Sequence, residues 1–280
     1  RLLRGGGRYV GDMTLPRIAH SFVLRSPHAH AKILSIDTTA AKAAPGVLAV
    51  LTGADWEASG FGDMPRADER TRKDGRPMYK PANPGLVKDR VRWVGDYVAF
   101  VVAETLHQAA DAAELIEVDY ETLPSITNTA EAAKPGAPLV WDDCENNIIF
   151  EMTVGDKAAT DAAFAKADHI VKHHFVINRI TAATMEPRAC IGDYNAADNH
   201  YTCYTTLQRA HTYRSELAEA ILKVPESNVR VVAGDIGGSF GMKSSITPEV
   251  ALVLLTSKLI GRPVKWVSTR SEAFLSDAQA

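Results

Sequence analysis

Apolar and polar positions change period several times along this chain, and each change marks an element. Ala19–Arg25 and Ala31–Ile36 are apolar-rich runs of strand length, separated by Ser26-Pro27-His28. Asp37 is placed to cap a short helix through Ala44, which Pro45-Gly46 ends, and Val47–Leu51 resumes as a strand. Residues 58–85 gather glycine, proline and charge without periodicity and read as a long loop. Tyr97–Ala103 is strongly β-prone. Thr105, with Gln108 at the capping-box spacing, opens a helix through about Leu115, and Ile116–Tyr120 follows as a strand.

Periodicity is lost from Ser125 to Asn147, where Pro, Asn and Asp collect. The chain is therefore expected to divide into residues 1–125, a linker at 126–147, and residues 148–280. In the second part Ile148–Val154, His169–Asn178, Ala189–Tyr194 and Tyr201–Thr206 read as strands. Arg209–Leu222 is an amphipathic helix with Tyr213, Leu217, Ala220 and Ile221 on one face. Val229–Val232 is a short apolar strand. Pro248–Ile260 is apolar nearly all round, which predicts a helix buried between layers; Thr247 can cap it and Gly261-Arg262-Pro263 stops it. Val264–Val267 is again strand-like.

Composition narrows the possibilities. At 280 residues, 46% hydrophobic and 23% charged, the chain is ordinary globular material with room for two domains. A net charge of -3 without a basic stripe argues against a general nucleic-acid surface. The longest apolar runs, Val98–Ala103 and Val250–Leu255, are too short to span a membrane. No charged-then-apolar leader precedes Arg1, and Cys144, Cys190 and Cys203 form neither a CxxC pair nor an even set. The expectation is a cytoplasmic, reducing setting, with Cys190 and Cys203 as buried small hydrophobes. The chain has no initiator Met and stops soon after a strand-like run, so it is expected to be a segment of something longer. Nine histidines include His28, His30 and the pair His173-His174, but no HExxH and no Cys/His cluster, so no metal ligands are expected. Asp142-Asp143-Cys144-Glu145 reads as a solvated acidic linker, and Glu186 with Arg188 as a local polar feature about Pro187.

The chemistry concentrates after Val232. Gly234, Gly237, Gly238 and Gly241 frame one aromatic, Phe240, and one cation, Lys243. Met242 separates Gly241 from Lys243, so the P-loop spacing is not met, and the glycines do not supply GxGxxG. Two readings stay open: a tight strand-to-helix connection whose glycines permit packing, or backbone brought close to a ligand. Gln208 sits at a strand-to-helix junction and can donate and accept hydrogen bonds. Two strand ends, one tipped by Gln208 and one by the glycine loop, could face a common ligand.

Gly237-Gly238-Ser239-Phe240-Gly241-Met242-Lys243, preceded by Thr206-Leu207-Gln208-Arg209-Ala210-His211, resembles the molybdenum hydroxylases, the xanthine dehydrogenase and aldehyde oxidase family. Within it the pattern is most like large subunits of the aerobic carbon monoxide dehydrogenase type. Gly7-Arg8-Tyr9-Val10-Gly11-Asp12, Arg25-Ser26-Pro27-His28-Ala29-His30-Ala31 and Val94-Gly95-Asp96-Tyr97-Val98-Ala99 extend the resemblance over essentially the whole chain. It implies an α+β fold: an α/β-hammerhead domain followed by the first part of a molybdenum-cofactor-binding domain. It also implies that Gln208, Gly238, Phe240 and Gly241 belong to the shell of a molybdenum cofactor, a molybdopterin with a cytosine dinucleotide as one form. Ser239 and Met242 replace glycines of the commoner loop. Ser244 stands where purine-hydroxylating members carry a glutamate, so Met242 and Ser244 are the candidate substrate-pocket residues. The implied partners are an FAD-binding medium subunit and a 2Fe-2S small subunit, in a dimer of heterotrimers. The family's general-base glutamate lies late in the large subunit. No catalytic residue is thus expected within residues 1–280, and the segment alone should be inactive and hold no cofactor. The alternative is a non-catalytic scaffold or assembly module of the same fold that does not bind molybdenum.

Overall fold

The structure is a computed structural model that describes residues 1–65 and 69–278; part of the loop expected at 58–85, residues 66–68, lies outside the described residues. The first half contains β1 (Ala19–Arg25), β2 (Ala31–Asp37), α1 (Thr39–Ala43), β3 (Val47–Thr52), α2 (Gly53–Ser59) and β4 (Arg90–Val91). There follow β5 (Tyr97–Ala103), α3 (Leu106–Glu114), β6 (Glu117–Thr122), α4 (Thr129–Ala132) and α5 (Lys157–Ala165). The last third supplies β7 (Ala189–Asn195), β8 (His200–Thr205), α6 (Ala210–Glu216), β9 (Val229–Val232), α7 (Pro248–Ile260), β10 (Val264–Val267) and α8 (Arg270–Ser276). Local chemistry sets several boundaries. The Gln108 N–H donates to Thr105 Oγ1 at 3.2 Å to start α3, and the Thr39 N–H donates to Asp37 Oδ1 at 2.8 Å just ahead of α1. Pro248 occupies the first turn of α7, where its missing donor costs nothing.

One seven-stranded sheet, ordered β3-β5-β1-β10-β7-β8-β9, runs through both halves of the chain, and a three-stranded sheet, β4-β2-β6, stands beside it. The join is a parallel pairing of β1 with β10, with Ala19 opposite Val264 and His20 opposite Lys265. β5 lies antiparallel between β3 and β1 and is buried at every position, which accounts for its unbroken apolar run. On the other side of the join β10 pairs antiparallel with β7, β7 with β8, and β8 runs parallel to β9.

Helices cover the sheet. α3 lays Ala109, Ala112 and Ala113 against Ala99, Val101 and Ala103. α7, buried from Pro248 to Ser257, fills the main core with Leu252 and Leu254 against Cys190, Cys203 and Trp266. Each fully buried Leu or Ile there contributes roughly 1.5–3 kcal/mol. The expected placement of this helix between layers is what the structure shows.

Three expectations need correction. The helix from Ala210 changes to π-helical winding at Leu217–Leu222. Wider turns shift its face, so Ala218 and Leu222 join Tyr213, Leu217 and Ile221 in the core while Ala220 faces solvent. Ile148–Val154 and His169–Asn178 form no ladder among the described residues, and residues 150–180 are exposed throughout. β-propensity measures fit to a pleated, half-buried surface, and no such surface lies beside them. The acidic linker is not simply solvated: Arg90 Nη1 donates to Asp142 Oδ1 at 2.9 Å, and Cys144 is buried.

Candidate functional site

The parallel pairing of β8 with β9, in register at Tyr204 and Val232, places two strand ends side by side. β8 leads through Thr206 and Leu207 to Gln208, and β9 leads into the glycine loop. The two are tied together where the loop returns. The Gln208 N–H donates to Lys243 O at 3.1 Å, and Arg209 Nη2 donates to Ser244 O at 3.2 Å. Gln208 is exposed, and its side-chain amide meets no partner among the described residues.

The loop is held by Glu186. The Gly237 N–H donates to Glu186 Oε2 at 2.8 Å, and the Glu186 N–H donates back to Gly237 O at 3.2 Å. Only glycine permits this approach, because a Cβ at Gly237 would stand 2.5 Å from the Glu186 Cβ. At the other end, Lys243 Nζ donates to Glu186 O at 2.8 Å and to Oε2 at 3.2 Å, while the Lys243 N–H donates to Ser239 Oγ at 3.1 Å. One residue thus pins both ends of the loop. Lys243 is only 2% exposed; burial lowers its pKa and the Glu186 carboxylate opposes that. Its charge is spent inside the protein, which removes it as a direct contact for an external phosphate.

Between the pins the backbone turns left-handed at Gly238 (φ 98), Phe240 (φ 50) and Gly241 (φ 96). Phe240 is the informative one. A non-glycine residue in this region costs on the order of 1 kcal/mol and persists where its surroundings fix it, typically at ligand sites. Its ring is 70% exposed. Among the described residues nothing accepts a hydrogen bond from the backbone N–H groups of Gly238, Ser239, Phe240 or Gly241. Four free donors beside a free side-chain amide fit the oxygen-rich periphery of an oxo-metal cofactor. Of the other candidates, Met242 is buried beneath the loop, and Ser244 is half-buried with its hydroxyl donating to Gly241 O at 2.8 Å.

Two residues beyond Glu186, the strap that pins the loop, Arg188 enters a charge cluster that sequence reasoning missed. Glu249, at the start of α7 and 0% exposed, accepts from Arg25 Nη2, Arg188 Nη1 and the Tyr97 hydroxyl, each at 2.8 Å. Arg188 Nε also donates to Asp277 Oδ1 at 2.8 Å, and Arg25 Nε to Glu272 Oε1 at 2.7 Å. Burial by itself would raise the Glu249 carboxyl, but Arg188 and Arg25 outweigh it and hold it at about 2. Arg188 and Glu186 are therefore not a local pair: one belongs to this cluster, the other to the loop. The available signal was a lone acid in an otherwise apolar helix, which must find a buried cation. Cys203 lies in the adjoining core, its thiol pushed up to about 12 by burial. No group of His, Cys, Asp or Glu among the described residues could hold a metal ion, and no described helix is long and apolar enough to cross a membrane.

Comparison with known proteins gives the family. A family model described as "Molybdopterin cofactor-binding domain" matches residues 140–280, and one described as "Aldehyde oxidase and xanthine dehydrogenase, a/b hammerhead domain" matches residues 4–124. The carbon monoxide dehydrogenase large chain of Afipia carboxidovorans is 37% identical over 284 residues, covering 97% of this chain and 34% of the relative. The nicotine 6-hydroxylase large subunit of Paenarthrobacter nicotinovorans is 35% identical over 282 residues, covering 100% of this chain and 33% of the relative. The crystal structure of quinoline 2-oxidoreductase from Pseudomonas putida superposes with a TM-score of 0.90 at 36% identity, covering 100% of this chain and 34% of that one. The chain thus spans about a third of the length of these relatives, in an α+β arrangement of hammerhead and cofactor-binding regions. With the cofactor-binding match extending over half of its residues, the chain belongs to the molybdenum hydroxylase family of aldehyde oxidases and xanthine dehydrogenases.

Proposed function

We propose that this chain is one third of the large subunit of a molybdenum-dependent oxidoreductase, and that Gln208 with the Gly238–Gly241 backbone forms one face of its cofactor site. The observation that carries the reading is the set of four unpartnered N–H groups held beside the free amide of Gln208. When bound, the cofactor supplies a redox centre for inserting water-derived oxygen into a C–H bond or for oxidising carbon monoxide. The chain's own residues do the holding. Backbone donors at Gly238, Phe240 and Gly241 and the Gln208 amide stabilise electron-rich oxygen by preorganised hydrogen bonding, without reorganisation at the moment of reaction. Glu186 keeps the donors aimed by fixing Gly237 and Lys243. Ser244, beside the loop's return, and Met242, packed beneath it, shape the adjoining substrate wall. The three relatives are named for carbon monoxide, nicotine and quinoline, so one scaffold accompanies different substrates.

The general base and the remaining cofactor contacts belong to the rest of the subunit in this reading. FAD-binding and 2Fe-2S subunits would be its electron-carrying partners in the cytoplasm, with the molybdopterin in its dinucleotide form as one option. Metal analysis tests the division of labour. The 280-residue chain purified from a molybdenum-replete host should carry far less than one molybdenum per chain, and the full-length subunit close to one. Stoichiometric molybdenum on the 280-residue chain would overturn it.

A further inference from the structure

Residues 150–180 form an arm in which every residue is exposed, α5 included. The arm leaves the body after Ile149, whose carbonyl accepts from the Tyr79 N–H at 3.0 Å, and is tied back at Arg179, whose Nη2 donates to Asp277 O at 3.1 Å. Along its second half Val171, Phe175 and Ile177 are 91%, 78% and 86% exposed. They share one side with His173, while Lys172, His174, Val176 and Asn178 take the other, an alternation that leaves one mainly apolar face as in a strand that faces a core. The rings of His173 and Phe175, two residues apart, lie 4.4 Å from centroid to centroid, on one side of the chain. No backbone hydrogen bond joins residues 169–178 to another strand among the described residues. A row of unpaired donors and acceptors beside a mainly apolar face is a template for pairing. The order is also informative. Two segments of strand character, 148–154 and 169–178, are joined through the alanine-rich α5, the connection that parallel strands require.

We propose that the arm is a β-α-β unit that docks on the remaining length of its own subunit, with residues 169–178 becoming a strand of a sheet completed there. The relatives supply the reason for choosing that occupant: they match this chain over 97% and 100% of its length, yet it covers only 34% and 33% of theirs. An apolar face this long, attached to a well-packed body, is the seam at which the other two thirds meets it. The proposal rests on reading the chain as part of a longer subunit and not on the cofactor assignment, and its test does not use molybdenum.

Hydrogen exchange read by mass spectrometry is compared for the 280-residue chain and the full-length subunit translated to its stop codon. Peptides covering 169–178 should exchange about 100-fold more slowly in the full-length protein, while peptides covering β5 stay equally protected in both. The double variant Val171→Asp with Ile177→Asp should lower the melting temperature of the full-length subunit by about 5 °C and move that of the 280-residue chain by less than about 1 °C. If the full-length variant fails to fold, the wild-type exchange comparison decides. Equal exchange of the arm in both proteins would overturn the proposal. So would a reading frame that stops at residue 280, or a 280-residue chain that is dimeric by light scattering with its arm already protected, which would make a second copy the occupant.

Discussion

The glycine loop and the exposed arm are both irregular backbone, and they are held in opposite ways. Residues 237–243 are clamped at each end by Glu186, and Lys243 also anchors the N–H of Gln208. Among the described residues, 150–180 are hydrogen-bonded to the body near their two ends, through Met152 and Arg179. Irregularity is thus no guide to mobility. A loop whose buried polar groups are satisfied is preorganised, and its few free donors are the ones left for a ligand. An arm whose extended stretches lack a ladder partner is waiting for a surface.

The largest expected effect tests the foundation under the loop. Glu249→Ala removes the acceptor shared by Arg25, Arg188 and Tyr97, and should cost roughly 3–5 kcal/mol in urea unfolding because it strands buried cations. Exchange in the arm should not respond, so a uniform loss of protection would erase the contrast. The same carboxylate gives a pH signature. Its folded pKa is depressed from 4.5 to about 2, so its stabilisation is complete above 4.5 and is lost as pH falls through 2. Acid titration of stability should show a decline in that window which Glu249→Gln largely abolishes.

Next comes the strap. Glu186→Ala leaves the Lys243 ammonium buried without its counter-charge, and should cost about 2–3 kcal/mol and speed exchange at the amides of 237–243. Adding Lys243→Met should recover part of the stability but not the loop's order, since the Gly237 contact stays lost. A loop as protected in Glu186→Ala as in the wild type would show that other contacts hold it. The smallest effect belongs to the arm: Ile177→Ser in the 280-residue chain should change unfolding free energy by less than about 0.5 kcal/mol, because the side chain contributes nothing there.

What could be read beforehand follows from where each signal resides. α7 and β5 were plain because burial on nearly all sides leaves few polar positions, and the start of α3 because an N-cap is local chemistry. The pairing of β1 with β10 was not legible, since its partners lie more than two hundred residues apart and nothing in either strand names the other. The arm misled in the other direction: its apolar alternation is genuine, but a strand needs a neighbour that these residues do not provide. Gln208 and the glycine cluster stood out by residue type. The role of Glu186 did not, because a carboxylate two residues before an arginine reads as their mutual pair until the fold sends them to different partners.

The central claim, that the free donors beside Gln208 face the cofactor, is tested most directly by Gln208→Ala in the full-length subunit. The side chain is exposed and forms no hydrogen bond among the described residues, so the melting temperature should stay within about 1 °C of wild type. Turnover per molybdenum should fall about 100-fold, the usual effect of removing one preorganised donor, or molybdenum content should drop. Unchanged turnover at unchanged molybdenum content would contradict the account.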